Sequence, residues 1–195
     1  MQIRALMLLW VVALAGCQPS GQAGGESDPA RKAAEAAEAA ERAQLETLAS
    51  QIAADRDAVA GFEVLHAGYG HGPDPRSGQS VPTIKVALAN GSPVTVTRVS
   101  LHVRLANEGG GAPWLDQVFD VPLSAPLAPG AGDAVTMTPT GDSDWALKAP
   151  PEGVPVRVRV QALALRTPEG RELLTEHAMD DLQRERLDAL RAASR

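Results

Sequence analysis

The residues able to do chemistry fall into three groups. Cys17 is the only thiol in the chain, and a thiolate can be acylated, oxidised or bound to a metal. His66, His71 and Asp74, with Tyr69 between them, carry metal donors. Metal sites want imidazoles fixed on rigid elements, whereas His71 and Asp74 fall in the Gly/Pro-rich run Gly70-His71-Gly72-Pro73-Asp74-Pro75. That run reads as a solvated loop, and no metal site is assigned. Arg98, Arg104, Arg157 and Arg159, with His102, form the third group. Guanidinium forks suit carboxylates and phosphates.

Catalytic constellations are not visible. No serine stands in a Gly-x-Ser-x-Gly elbow, and there is no Gly-x-x-x-x-Gly-Lys-Ser/Thr loop and no His-Glu-x-x-His. Gly109-Gly110-Gly111 would need a further glycine where Trp114 stands to complete a dinucleotide fingerprint. The triplet reads instead as a hairpin loop. A non-enzymatic protein without a cofactor is expected.

Cys17 closes the sequence Leu14-Ala15-Gly16-Cys17, preceded by Arg4 and an apolar run from Ala5 to Ala15. A charged start, a short apolar segment and small residues before a cut are the parts of a secretory signal peptide. The apolar run is too short for the roughly 20 residues that span a bilayer. Leu-Ala-Gly-Cys resembles a bacterial lipobox, which implies that Cys17 is diacylated and becomes the first residue after residues 1–16 are removed. Two acyl chains anchor stably where one does not. Gln18, where enteric-type sorting reads Asp as an inner-membrane signal, favours the outer membrane, facing the periplasm.

The chain has 195 residues and a formal net charge of −6. Loss of residues 1–16 takes away Arg4 and no acid, which makes it one unit more negative. A chain of that sign is a poor nucleic-acid binder. Aromatics make up only 3%, so the core must be Val, Leu and Ala, and without a second cysteine it has no disulfide to support it.

Stepping along the elements, residues 17–28 are rich in Gly, Ser and Pro and form a flexible tether of about 18 Å. Asp28 and Pro29 then start a helix over 29–60, with Ala predominant up to Ala43 and Glu35, Glu38 and Glu41 between. Leu45, Leu48, Ile52 and Val59 form its only apolar stripe, too short for a coiled coil. Spacing, weak self-association and partner capture all remain open for this helix.

From Phe62 the period changes to two. Strands are expected over 62–69, 83–90, 94–107, 114–122, 133–138, 153–166 and 171–174, within a domain of residues 61–175. Asn90-Gly91 is a hairpin signal, lengthened by Ser92-Pro93. Val94 and Val96 lie on the opposite parity from Val99, Leu101, Val103 and Leu105, so a bulge is expected near Thr97 or Arg98. Val154, Val156, Val158 and Val160 alternate with Arg157, Arg159 and Gln161. Leu163 and Leu165 continue the arginines' parity, as though something covers that part of the face. The fold class expected is mainly β: an immunoglobulin-like antiparallel β-sandwich of about seven strands, preceded by a long α-helix and followed by a C-terminal helix over 176–195. Met179, Leu182, Leu187, Leu190 and Ala193 form the stripe of that last helix.

Val81-Pro82-x-Ile84-x-Val86-x-Leu88-x-Asn90-Gly91 is followed by Arg98-Val99, Pro113-Trp114, Leu127-x-Pro129-Gly130 and Ser143-Asp144-Trp145. In that order, over roughly residues 43–174, they resemble a family of uncharacterised proteobacterial lipoproteins, each a helix followed by one small β-sandwich. The resemblance implies fold and location; the family has no established activity to carry over.

In such a sandwich the third and sixth strands are neighbours. Arg98, His102, Arg104, Arg157 and Arg159 would then share one solvent face of an acidic protein, as a binding surface, as dispersed charge or as a seat for the acidic helix. The expectation is a lipid-anchored envelope protein that binds or scaffolds another envelope protein or acidic component. A structural or self-associating lipoprotein is the alternative, and an enzyme ranks third.

Overall fold

The structure, a computed structural model, describes residues 27–74, 78–139 and 143–193. Cys17, residues 1–16 and the tether up to residue 26 lie outside the described residues. Contacts divide the chain into two units, 1–37 and 38–195. In the first, the described residues are helical and Arg31 pairs with Glu35 one turn on, at 2.8 Å.

Helix α1 runs over Ser27–Val59 and ends at Gly61, whose φ of 82° suits a glycine at a helix stop. Among the described residues no helix is long and apolar enough to cross a membrane. Seven strands follow: β1 (Phe62–Pro73), β2 (Ser80–Asn90), β3 (Val96–Asn107), β4 (Leu115–Leu127), β5 (Gly132–Met137), β6 (Val156–Arg166) and β7 (Glu172–Leu174). A short helix α2 (Asp144–Lys148) lies between β5 and β6. A 3-10 turn (Glu176–Ala178) and helix α3 (Asp181–Ala193) close the chain. The strands form two antiparallel sheets, β1-β2-β5 and β4-β3-β6-β7.

Alternation explains the core. Ile84, Val86 and Leu88 of β2, Val135 and Met137 of β5, and Val99, Leu101, Val103 and Leu105 of β3 are buried in one apolar cluster. Successive side chains of a strand point to opposite faces, so a period of two buries one face of each sheet. Trp145 of α2 joins the cluster and meets Phe119 edge-on, with ring centroids 5.4 Å apart.

Three register shifts adjust the parity. One lies between Val96 and Arg98, where the sides change, and its extra residues are on β4, between Pro122 and Leu127. A second, at Leu65, leaves that side chain 62% exposed. The third corrects the sequence reading. Ser100 pairs with Ala164 but Leu101 pairs with Ala162, so Leu163 is the extra residue. Beyond it the parity of β6 reverses, and Leu165 is buried in the core rather than beside the arginines.

Asn90-Gly91 does not form a hairpin either. β2 and β3 belong to different sheets, and neither Asn90 nor Gly91 has the positive φ that a type I′ turn needs. Asn90 is buried at the crossing. Its Nδ2 donates to the Val94 and Leu127 carbonyls, both at 2.8 Å, and its Oδ1 accepts from Ser92 Oγ at 2.5 Å. Gly91 closes the corner from outside, because its amide donates to the Gly61 carbonyl at 2.8 Å.

The apolar stripe of α1 is occupied by the chain's own C-terminus. Leu45, with Leu48, Ala49 and Ile52 around it, packs on Met179, Leu187 and Leu190. Leu182, placed in that stripe by its spacing, is instead 76% exposed. Arg186 reaches Glu41 at 2.7 Å and Glu38 at 3.8 Å, and Arg191 reaches Glu46 at 3.7 Å. A row of acids on one helix thus meets a row of arginines on the other.

Candidate functional site

The register of β3 and β6 brings the five sequence-predicted residues to one face. Arg104 lies opposite Arg159, Ala106 opposite Arg157 and His102 opposite Gln161, while Arg98 continues the row on β3. Directly opposed residues of an antiparallel pair share a face, and like charges so placed repel unless something compensates.

Neighbouring strands supply the compensation for some of them. On the far side of β3, Arg104 is opposite Asp116 and Ser100 opposite Asp120. Arg98 Nη1 donates to Asp120 Oδ2 at 2.9 Å, and His102 Nε2 lies 2.6 Å from Asp116 Oδ1. Arg104 Nε is 3.7 Å from the other oxygen of Asp116. On β6, Arg166 pairs with Glu172 of β7 at 3.1 Å. These pairs are exposed and worth little each, but they balance the charge of the β3 row. Asp116 and Asp120 were not singled out in the sequence. Their spacing of four, which puts both on one face of β4 just after the glycine hairpin, was the signal available.

Arg157 and Arg159 are different. β7 pairs only with Ala164–Arg166, so no acidic strand flanks β6 at its N-terminal half. Among the described residues neither arginine pairs with a carboxylate, and both are exposed. Arg159 also lines a groove of about 770 Å³ whose charged lining is mixed: Arg56 of α1, Arg184 and Arg191 face Glu176, Asp180, Asp181 and Asp188. A second groove, of about 560 Å³, continues along Gly61–Val64 and Val160–Ala162. Gln161 Nε2 and His177 Nδ1 lie 3.3 Å apart at the junction. What this arrangement offers chemically is an exposed guanidinium pair on β6, suited to carboxylate or phosphate oxygens, with Arg159 alone at the rim of a mixed-charge groove.

His66 and His71 are placed apart. Beyond the bulge at Leu65, His66 pairs with Ala87 and His71 with Pro82, an odd number of residues apart on one strand, so they face opposite sides of their sheet. Tyr69 is tied up separately, donating to the Pro150 carbonyl at 2.5 Å, and burial raises its pKa. No group of three His, Cys, Asp or Glu among the described residues is placed to hold a metal ion.

One further residue escaped the sequence reading. Asp55 is buried and accepts hydrogen bonds from Arg171 and from the Leu174 amide. The signal was present: Asp55 interrupts the stripe Leu45, Leu48, Ile52, Val59 at the position where the next apolar residue belongs.

Compared with protein-family models, curated proteins and solved structures, the chain matches none of them.

Proposed function

We propose that the chain is a lipid-anchored cell-envelope protein, held in the outer membrane and facing the periplasm through acyl chains on Cys17, and that its β-domain binds or scaffolds another envelope component without catalysis. The anchor rests on the lipobox-like Leu14-Ala15-Gly16-Cys17 and its short apolar leader. The binding role rests on one observation: among the described residues Arg157 and Arg159 pair with no carboxylate, in a chain of net charge −6. An acidic partner supplies what β4 and β7 supply to the other arginines.

The immunoglobulin-like reading of the domain is part of this proposal, and strand order supports it. An immunoglobulin constant domain has strands A, B, E and D in one sheet and C, F and G in the other. In chain order, β1, β2 and β5 take the places of A, B and E, and β3, β6 and β7 those of C, F and G. β4 pairs beside β3 instead of taking the D position.

The competing reading, a self-associating lipoprotein, loses its best surface. The stripe Leu45, Leu48 and Ile52 is packed against α3 of the same chain. Crosslinking in intact envelopes, followed by capture of the chain, separates the two. The binding reading expects a second protein in the crosslinked product, lost when Arg157→Glu and Arg159→Glu are combined. Products that contain only copies of this chain would overturn it.

A further inference from the structure

β6 is covered unevenly. On one side β3 pairs with it along its whole length, from Val156 to Arg166. On the other, β7 is three residues long and covers Ala164–Arg166 alone. After Leu174 the chain leaves the ladder but stays beside the end of β6, where the 3-10 turn packs near Gln161. The Thr175 amide donates to the Leu163 carbonyl at 2.9 Å, and the Thr175 hydroxyl donates to the Ala162 carbonyl. The same hydroxyl then accepts from the His177 amide and caps the 3-10 turn. Along Val156–Gln161, about 20 Å of strand, nothing among the described residues pairs with the backbone groups that point away from β3.

Burial follows the same boundary. Leu165, beside β7, is buried, whereas Val156, Val158 and Val160 pack against the core but stay half-buried. Unpaired strand edges are templates for another strand. Here the edge has an apolar side at the valines and a cationic side at Arg157 and Arg159. Its far end meets the groove beside Gly61–Val64, where Arg56 stands with Glu63 and Glu176 and further acids are not needed.

We infer that this edge of β6 takes an extended acidic peptide of a partner protein as an added strand. The inference rests on the binding reading above and names the chemistry of the partner. In strand addition the main chain gives affinity and alternate side chains give specificity. The occupant therefore alternates small apolar residues, beside Val158 and Val160, with acids beside Arg157 and Arg159. A second copy of this chain fits poorly, because two β6 edges in antiparallel contact would oppose arginine with arginine.

The probe is a labelled peptide, acetyl-(Glu-Val)4-amide, titrated into the full-length chain in detergent. Two partners of this peptide carry N-methyl groups on alternate residues, one on the glutamates and the other on the valines. The parent peptide is expected to bind and to slow amide exchange within Val156–Gln161. One N-methylated peptide, the one that blocks the edge-facing amides, should bind about tenfold or more weakly. Combined Arg157→Glu and Arg159→Glu should weaken the parent by about tenfold or more. If both N-methylated peptides bind as tightly as the parent, charge alone recruits it; strand addition falls and the binding reading stands. No binding by the parent also overturns strand addition, and envelope crosslinks that persist beside that result keep the wider reading intact.

Discussion

Asp55 Oδ1 accepts a hydrogen bond from Arg171 Nη2 at 2.8 Å, across 116 residues of chain. Its other oxygen accepts from the Leu174 amide at 3.0 Å. The carboxylate is 4% exposed and the guanidinium 64%, so one partner is desolvated while the other remains in water. Burying a charge costs free energy unless it is paired and hydrogen-bonded, and here both oxygens are used. The pair ties the last turns of α1 to β7, the short strand whose end leaves the β6 edge open.

Asp55→Ala removes an acceptor and strands a strand-edge amide. The expected loss of stability is about 2 kcal/mol, measured by denaturant unfolding. Asp55→Asn keeps the shape and part of the acceptor capacity, so it should fall between. A neutral Asp55→Ala would mean that water replaces the carboxylate at no cost.

Asn90 holds the crossing between the sheets with two donated bonds and one from Ser92. Asn90→Ala leaves the Val94 and Leu127 carbonyls without that donor and should cost about 3 kcal/mol. Asn90→Asp should cost at least as much, since a carboxylate cannot donate to either carbonyl. Thermal unfolding of both variants checks this.

Acid should loosen α3 from α1. A hydrogen bond from Arg186 lowers the Glu41 pKa below 4.5 in the folded chain, and the same contact raises the Arg186 pKa. A depressed carboxylate contributes stability above its unfolded pKa and loses it as pH falls through the folded value. Protection of the α3 amides relative to their intrinsic exchange rate should therefore fall between about pH 5 and about pH 3. Glu41→Gln should flatten that response, while Arg186 stays charged throughout. An unaltered pH profile in Glu41→Gln would assign the acid response to other carboxylates.

Cys17→Ser tests the anchor. It should abolish labelling by palmitate and leave the precursor uncleaved, because the acylated thiol is what the resemblance to a lipobox requires. Labelling that persists in the variant would remove the membrane assignment.

The sequence by itself determined the elements whose signal is local and repeated. Val99, Leu101, Val103 and Leu105 alternate because one face of their sheet is buried, and that period is written along one strand. The change of side between Val96 and Val99 was legible for the same reason, but the extra residues of that register shift stand on β4. Pairing decided the rest. Leu163 is a bulge only by virtue of its partners on β3, so the burial of Leu165 could not be read from β6 alone. Asn90-Gly91 carried a turn signal, but the Asn90 side chain ties the crossing at Ser92 and Val94 to Leu127, 37 residues on. The arginine face was visible as spacing, yet its charge balance was not. Asp116, Asp120 and Glu172 neutralise some arginines, and the short β7 leaves Arg157 and Arg159 without a carboxylate partner among the described residues. A side chain's direction follows from its own strand's alternation, whereas its electrostatic neighbours come from strands that only the tertiary fold sets beside it.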